Sequence, residues 1–95
     1  MPSNSLYRTT KKIIDSKSIS CVVYYMSSGK VEEKHFHDGI EIVYVIKGNC
    51  KTHKQGKVYY YKKGQGHGVI NDSKKELIFA CLQIPAETEE NTHFV

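Results

Sequence analysis

Residues Gly29–Gly48 read GKVEEKHFHDGIEIVYVIKG. In its second half, Ile42, Tyr44 and Ile46 share one face of an extended chain and Glu41, Val43 and Val45 the other, because successive side chains of a strand point to opposite sides. Both faces are apolar except at Glu41, which predicts a strand covered on both sides. Glu41 then points where Val43 and Val45 point, towards an interior, and a carboxylate removed from water is costly unless it is paired or bound to a metal. In the first half, His35 and His37 lie two apart, so both imidazoles project together while Phe36 faces the opposite layer. Asp38-Gly39 turns the chain and brings Glu41 onto a neighbouring strand close to both histidines. Two imidazoles and one carboxylate make a borderline-hard site, suited to Fe, Mn, Ni, Zn or Co rather than Ca or Cu(I). His67, set among Gly64, Gly66 and Gly68, is a fourth candidate ligand.

The flanking sequence reads as β in both directions. Residues 19–26 (ISCVVYYM) are rich in β-branched and aromatic side chains, and further strands are expected at 30–37, 41–47, 49–54, 57–62, 67–71 and 77–84. Ser28-Gly29, Asp38-Gly39, Gly48-Asn49, Gln55-Gly56 and the glycines from Gly64 to Gly68 punctuate them. No stretch of about 10 residues carries a helical period. Residues 4–17, where Ile13-Ile14 gives a weak pattern, are the one stretch not assigned to a strand. Short strands at close spacing predict an all-β sandwich or small antiparallel barrel. The segment from Pro85 onward is polar and acidic and is expected to be loose. The expectation is one domain over 1–95, with its core at about 19–85 and an acidic tail at 86–95.

Composition bounds the function. With 95 residues, 39% hydrophobic and 25% charged, the chain suits one small soluble globule. No apolar run approaches the roughly 18 residues of a membrane span, and Met1–Lys12 lacks the apolar core of a secretion signal. Three cysteines, Cys21, Cys50 and Cys81, are an odd number for a disulfide framework and are read as reduced, small buried hydrophobes, which places the protein in the cytoplasm. Fourteen basic residues face ten acidic ones, and three of the acids (Glu87, Glu89, Glu90) lie together near the C-terminus. The lysines are scattered in pairs, Arg8 is the sole arginine, and no recognition helix is visible, so neither nucleic acid nor membrane is expected as a partner. Weak attraction for small anions is consistent with the positive balance.

The spacing Gly29, five residues, His35, one residue, His37, three residues, Glu41, six residues, Gly48 resembles the first signature motif of the cupin superfamily at every defined position. Gly56, Gly64, His67 and Asn71 stand where the second cupin motif has them, with Lys62 in place of its proline. The resemblance covers about residues 19–85. It implies a cupin fold, the double-stranded β-helix or jelly roll, and a divalent metal (Fe, Mn, Ni or Zn) held by His35, His37, Glu41 and His67. Only seven residues separate Gly48 from Gly56, which implies that one strand is shortened or missing. The register of His67 depends on where that shortening falls: within the motif, or later if Gln55-Gly56 is a hairpin tip.

The remaining candidates have plainer readings. His53, in a lysine-rich segment, and His93, in the tail, are expected at the surface. Tyr59, Tyr60 and Tyr61 are expected to alternate in and out of the barrel, and the inward ones to line a pocket. Three His and one Glu leave about two positions open on an octahedral metal, enough for a bidentate substrate. The expected activity is Fe-dependent oxygenation, or metal-assisted isomerase or lyase chemistry, on a small oxygenated anion. The alternative is a module that binds or senses a small ligand without turning it over, and a third reading is a barrel that has lost its metal. An enzyme needs an acid or base beyond the ligands, for which the sequence offers only Tyr or Cys. A barrel this small with exposed edges is expected to pair into a homodimer.

Overall fold

The computed structural model describes residues 9–88 and 90–95. Arg8, Glu89 and residues 4–8 of the unassigned N-terminal stretch lie outside them. The described residues form β1 (Thr9–Asp15), β2 (Ser20–Met26), β3 (Val31–His37), β4 (Ile40–Lys47), β5 (Val58–Tyr61), β6 (His67–Ile70), β7 (Leu77–Ile84) and β8 (Thr92–Phe94). They make two antiparallel sheets, one in the order β1-β2-β7-β4-β5 and one in the order β6-β3-β8. This is the all-β jelly-roll architecture expected, with the two sheets packed face to face rather than closed into a continuous barrel.

The central strand β7 sets the interior. Its buried residues Leu77, Phe79, Cys81 and Gln83 alternate with the half-buried Ile78, Ala80 and Leu82, as a strand lying on a core requires. Register then stacks the inward side chains in layers. Phe79 faces Tyr24 and Val45, Cys81 faces Val22 and Val43, and Gln83 faces Ser20 and Glu41. The layers holding Met26, Leu77, Phe79, Val43 and Val45 are a close-packed apolar core joined by Val69 of the smaller sheet. The Ser20–Gln83–Glu41 layer ends that core in polar groups. One interior therefore has a dry end and a polar end, and the histidines collect at the polar one.

Four expectations need correction. Residues 49–54 form a loop, not a strand. Gly48 takes φ +96, and a Cβ there would lie 2.6 Å from the Glu76 carbonyl oxygen, so the chain leaves the sheet at this point. Gln55 and Asn49 side chains then satisfy the backbone amides of Gly48 and Gln55, at 2.9 and 3.0 Å. Residues 9–15 are a strand on the sheet edge, where a bulge between Lys12 and Ile14 hides the alternation that marks strands in sequence. The C-terminal segment is not loose: β8 pairs with β3, His35 opposite Phe94 and His37 opposite Thr92. Finally, β4 is covered on one side only. Tyr44 and Ile46 are exposed, and neighbouring Val58 and Tyr60 on β5 extend the same apolar outer face.

Asn71, expected as part of the second motif, is fully buried and does structural work. Its amide donates to the carbonyls of Met26 (2.9 Å) and Lys75 (2.8 Å), and its oxygen accepts from the Ser73 hydroxyl at 2.7 Å. Asn71 thus ties the end of β2 to the loop that enters β7. Asn71→Ala strands buried partners, each costing about 1–3 kcal/mol. Chemical denaturation should show a loss of about 2–4 kcal/mol with the denaturant slope unchanged.

Candidate metal centre

His35 and His37 leave β3 on its inward face, as the two-residue spacing predicts. β6 brings His67 directly opposite His35, and β4 brings Glu41 in from the larger sheet. Two local features make this convergence work. The Gly64 amide donates to the His37 carbonyl at 2.9 Å, fastening the loop before β6 to the end of β3, so His67 falls in register despite the shortened segment before it. Gly39, in the turn between His37 and Glu41, packs so tightly on the Ile84 carbonyl that any side chain would collide with it. All four residues are buried, and one candidate ligand atom from each lies within 4.8 Å of every other.

The hydrogen bonds on the far side of each ring decide where the lone pairs point. His35 Nδ1 donates to the Glu33 carbonyl at 2.7 Å and His67 Nδ1 to the Gln65 carbonyl at 3.2 Å; a carbonyl only accepts, so both Nδ1 atoms carry hydrogen. His37 Nδ1 lies 3.1 Å from the Thr92 hydroxyl, which gives its own proton to the Thr88 carbonyl at 2.8 Å and so accepts from His37. Each ring is thereby held with Nε2 turned inward, the arrangement that outer partners impose on metal-binding histidines. His67 Nε2 sits 2.6 Å from Glu41 Oε1 and shares a proton with it. His37 Nε2 is 3.0 Å from the same oxygen but is not aligned to bond it, and it has no other partner among the described residues.

A buried nitrogen without a bond is what a missing electrophile leaves behind. Ligand bonds of about 2.0–2.2 Å put donors that share one ion at most about 4.4 Å apart, so the observed spread requires only slight contraction. The cluster fits a divalent metal. Burial opposes ionisation of Glu41, yet the His37 and His67 rings override it and hold its pKa at about 2, so the carboxylate is charged. Against burial, the Glu41 contact raises the His67 pKa, while burial lowers that of His35. Burial also drives the Cys81 thiol well up, with Glu41 close by, so Cys81 stays a neutral packing group rather than a thiolate ligand.

Several residues around the cluster escaped the sequence reading. Glu32 points inward with His35 because a bulge between them breaks the strict alternation of β3; its burial, with Glu41 nearby, pushes its pKa well up. His53, expected at the surface, is 3% exposed. Its Nε2 bonds the Tyr61 hydroxyl at 2.8 Å and its Nδ1 the Thr52 hydroxyl at 2.7 Å, and the Tyr61 ring stacks on His67 with centroids 4.1 Å apart. The loop that replaced the expected strand 49–54 folds His53 inward. His93 does lie at the surface, paired with Asp38 at 3.0 Å. Tyr59 and Tyr61 turn in and Tyr60 turns out, as expected.

The cupin-domain family matches residues 22–83, the stretch that holds both histidine strands and β7. The chain belongs to the cupin family. Its fold is shared with solved structures of low sequence identity. A double-stranded β-helix protein from Klebsiella pneumoniae is 21% identical, with a TM-score of 0.79 over 100% of this chain and 89% of that one. The polyketide cyclase RemF from Streptomyces resistomycificus is 17% identical, with a TM-score of 0.76 over 90% of this chain and 69% of that one. Oxalate decarboxylase from B. subtilis is 17% identical, with a TM-score of 0.73 over 90% of this cupin and 28% of the longer chain. No curated protein sequence matches it.

Thr92→Val removes the acceptor that orients His37 and should weaken metal affinity about 10–100-fold, read by competition with a chromophoric chelator, without unfolding the protein. Metal must displace the proton shared by His67 and Glu41. Because Glu41 raises the His67 pKa, that proton is held beyond the ordinary imidazole pKa of about 6.5, so apparent affinity should climb as pH rises through and above that value, with proton release on binding. An affinity that is flat over that range contradicts the assignment of His67.

Proposed function

We infer that this cupin is a metal-dependent enzyme acting on a small oxygenated anion, with the metal held by His35, His37, Glu41 and His67. One observation carries the enzyme reading over a purely binding one: a carboxylate beyond the ligands stands at the same polar end of the interior. Glu87, from the segment expected to be a loose acidic tail, has its Oε1 3.1 Å from Gln83 Nε2, and Gln83 is the direct neighbour of Glu41 across β4 and β7. Burial and the charge of Glu41 raise the Glu87 pKa while His37 opposes the rise, which suits a group that both gives and takes a proton. The metal would polarise an oxygen of the bound anion. Gln83 and Tyr24 hold Glu87 before the anion binds, and the Tyr61 ring, its hydroxyl kept protonated with a pKa of about 12 chiefly by burial, stacks on the His67 side of the cluster. The apolar outer face formed by Tyr44, Ile46, Val58 and Tyr60 supports pairing with a second copy.

The test begins with metal analysis of the purified protein, followed by a turnover screen of small oxygenated anions with the identified metal. His35→Ala and His37→Ala should each remove most of the metal, while His93→Ala serves as the surface control. Glu87→Gln should retain metal and lower kcat about 100-fold. Ligand binding without turnover across the screen would support a sensing module instead. Tyr60→Lys should convert a dimer to monomer in a mass measurement at low concentration, and a monomeric parent would refute the pairing.

A further inference from the structure

Two hydrogen-bond donors near the candidate ligands converge on one carboxylate oxygen of Glu87, tucked against them although the residue as a whole is exposed. Gln83 Nε2 donates to Glu87 Oε1 at 3.1 Å and the Tyr24 hydroxyl donates to the same oxygen at 3.3 Å. Gln83 is 4% exposed and faces inward beside Glu41; Tyr24 rises towards it from the Phe79 layer. The donors are thus built into the sheet, whereas Glu87 comes from outside it.

The Glu87 backbone is anchored independently of its side chain. Its amide donates to Ser20 Oγ at 3.1 Å, the Thr88 amide donates to Asn91 Oδ1 at 2.9 Å, and Asn91 Nδ2 donates to the Ala86 carbonyl at 3.0 Å. None of these three bonds uses the carboxylate, so rotating it away would leave them intact. A buried amide such as that of Gln83 is costly to leave without a partner. The group that displaces Glu87 must therefore supply an equivalent acceptor, and another carboxylate does so one for one.

We propose that Tyr24 and Gln83 form a carboxylate subsite beside the candidate metal ligands, and that Glu87 fills it as an internal stand-in until a substrate carboxylate displaces it and so frees the Glu87 side chain for proton transfer. The inference rests on the small-anion reading above and narrows it to carboxylic acids that present one carboxylate away from the metal.

Calorimetric binding of malonate to Mn(II)-loaded protein tests this, with metal content and thermal unfolding recorded for every variant. Glu87→Ala should bind malonate about tenfold more tightly than the parent, because the internal competitor is gone. Adding Tyr24→Phe or Gln83→Ala to that variant should each reverse about tenfold of affinity, and malonamide should show none of these changes. Equal or weaker binding by Glu87→Ala overturns the proposal. A gain that survives both Tyr24→Phe and Gln83→Ala also overturns it, since loss of charge alone would then explain the effect. If Gln83→Ala does not fold, Tyr24→Phe, which keeps the ring, decides the matter. If the parent retains no metal, the metal reading fails by itself. Acetate binding to the metal-free protein, followed by NMR, then tests the subsite, and the absence of a Glu87→Ala gain there overturns it.

Discussion

The rest of this structure depends on a carboxylate buried among imidazoles. Glu41 is 3% exposed and remains ionised because His67 and His37 stand against the same oxygen. Removing a charge from water opposes folding, and only partners of opposite or complementary character offset it. Each partner must also be held in the correct tautomer, which requires Glu33, Gln65 and Thr92 behind the rings. The cost of burying one side chain thus propagates outward into three hydrogen bonds, a loop anchor at Gly64 and a pairing strand.

The interior is graded rather than uniformly apolar. Layers set by β7 run from Leu77 and Phe79 to Gln83, and the same strand serves as both core and floor of the site. A domain this small has little surplus stability. It places its polar cluster at one end, where Glu41 and the imidazoles satisfy one another above the apolar layers.

The C-terminal segment joins fold to site. β8 covers β3, Thr92 orients His37, and Glu87 reaches the Gln83–Tyr24 corner. Residues that read as an acidic surface tail contribute to the polar end of the interior. A composition window averages over such side chains and registers only their charge; whether they face solvent or the site depends on the path of the backbone, here a turn bonded through Thr88 and Asn91 that pairs the chain back onto the small sheet.

The sequence by itself determined the β architecture, the pair His35 and His37 on one face, the inward Glu41 and the matching of both motifs, because these rest on period-two alternation and fixed spacing along single strands. Residue type and order suffice for that. Only the tertiary structure decided that His67 joins the cluster, that Glu32 turns inward across a bulge, that His53 is buried beneath Tyr61, and that the outer face of β4 is exposed. Each of these depends on register, a bulge or a loop path, and such features are set by contacts between strands distant in sequence. Local alternation determines which side chains share a face. Pairing between strands determines what that face meets.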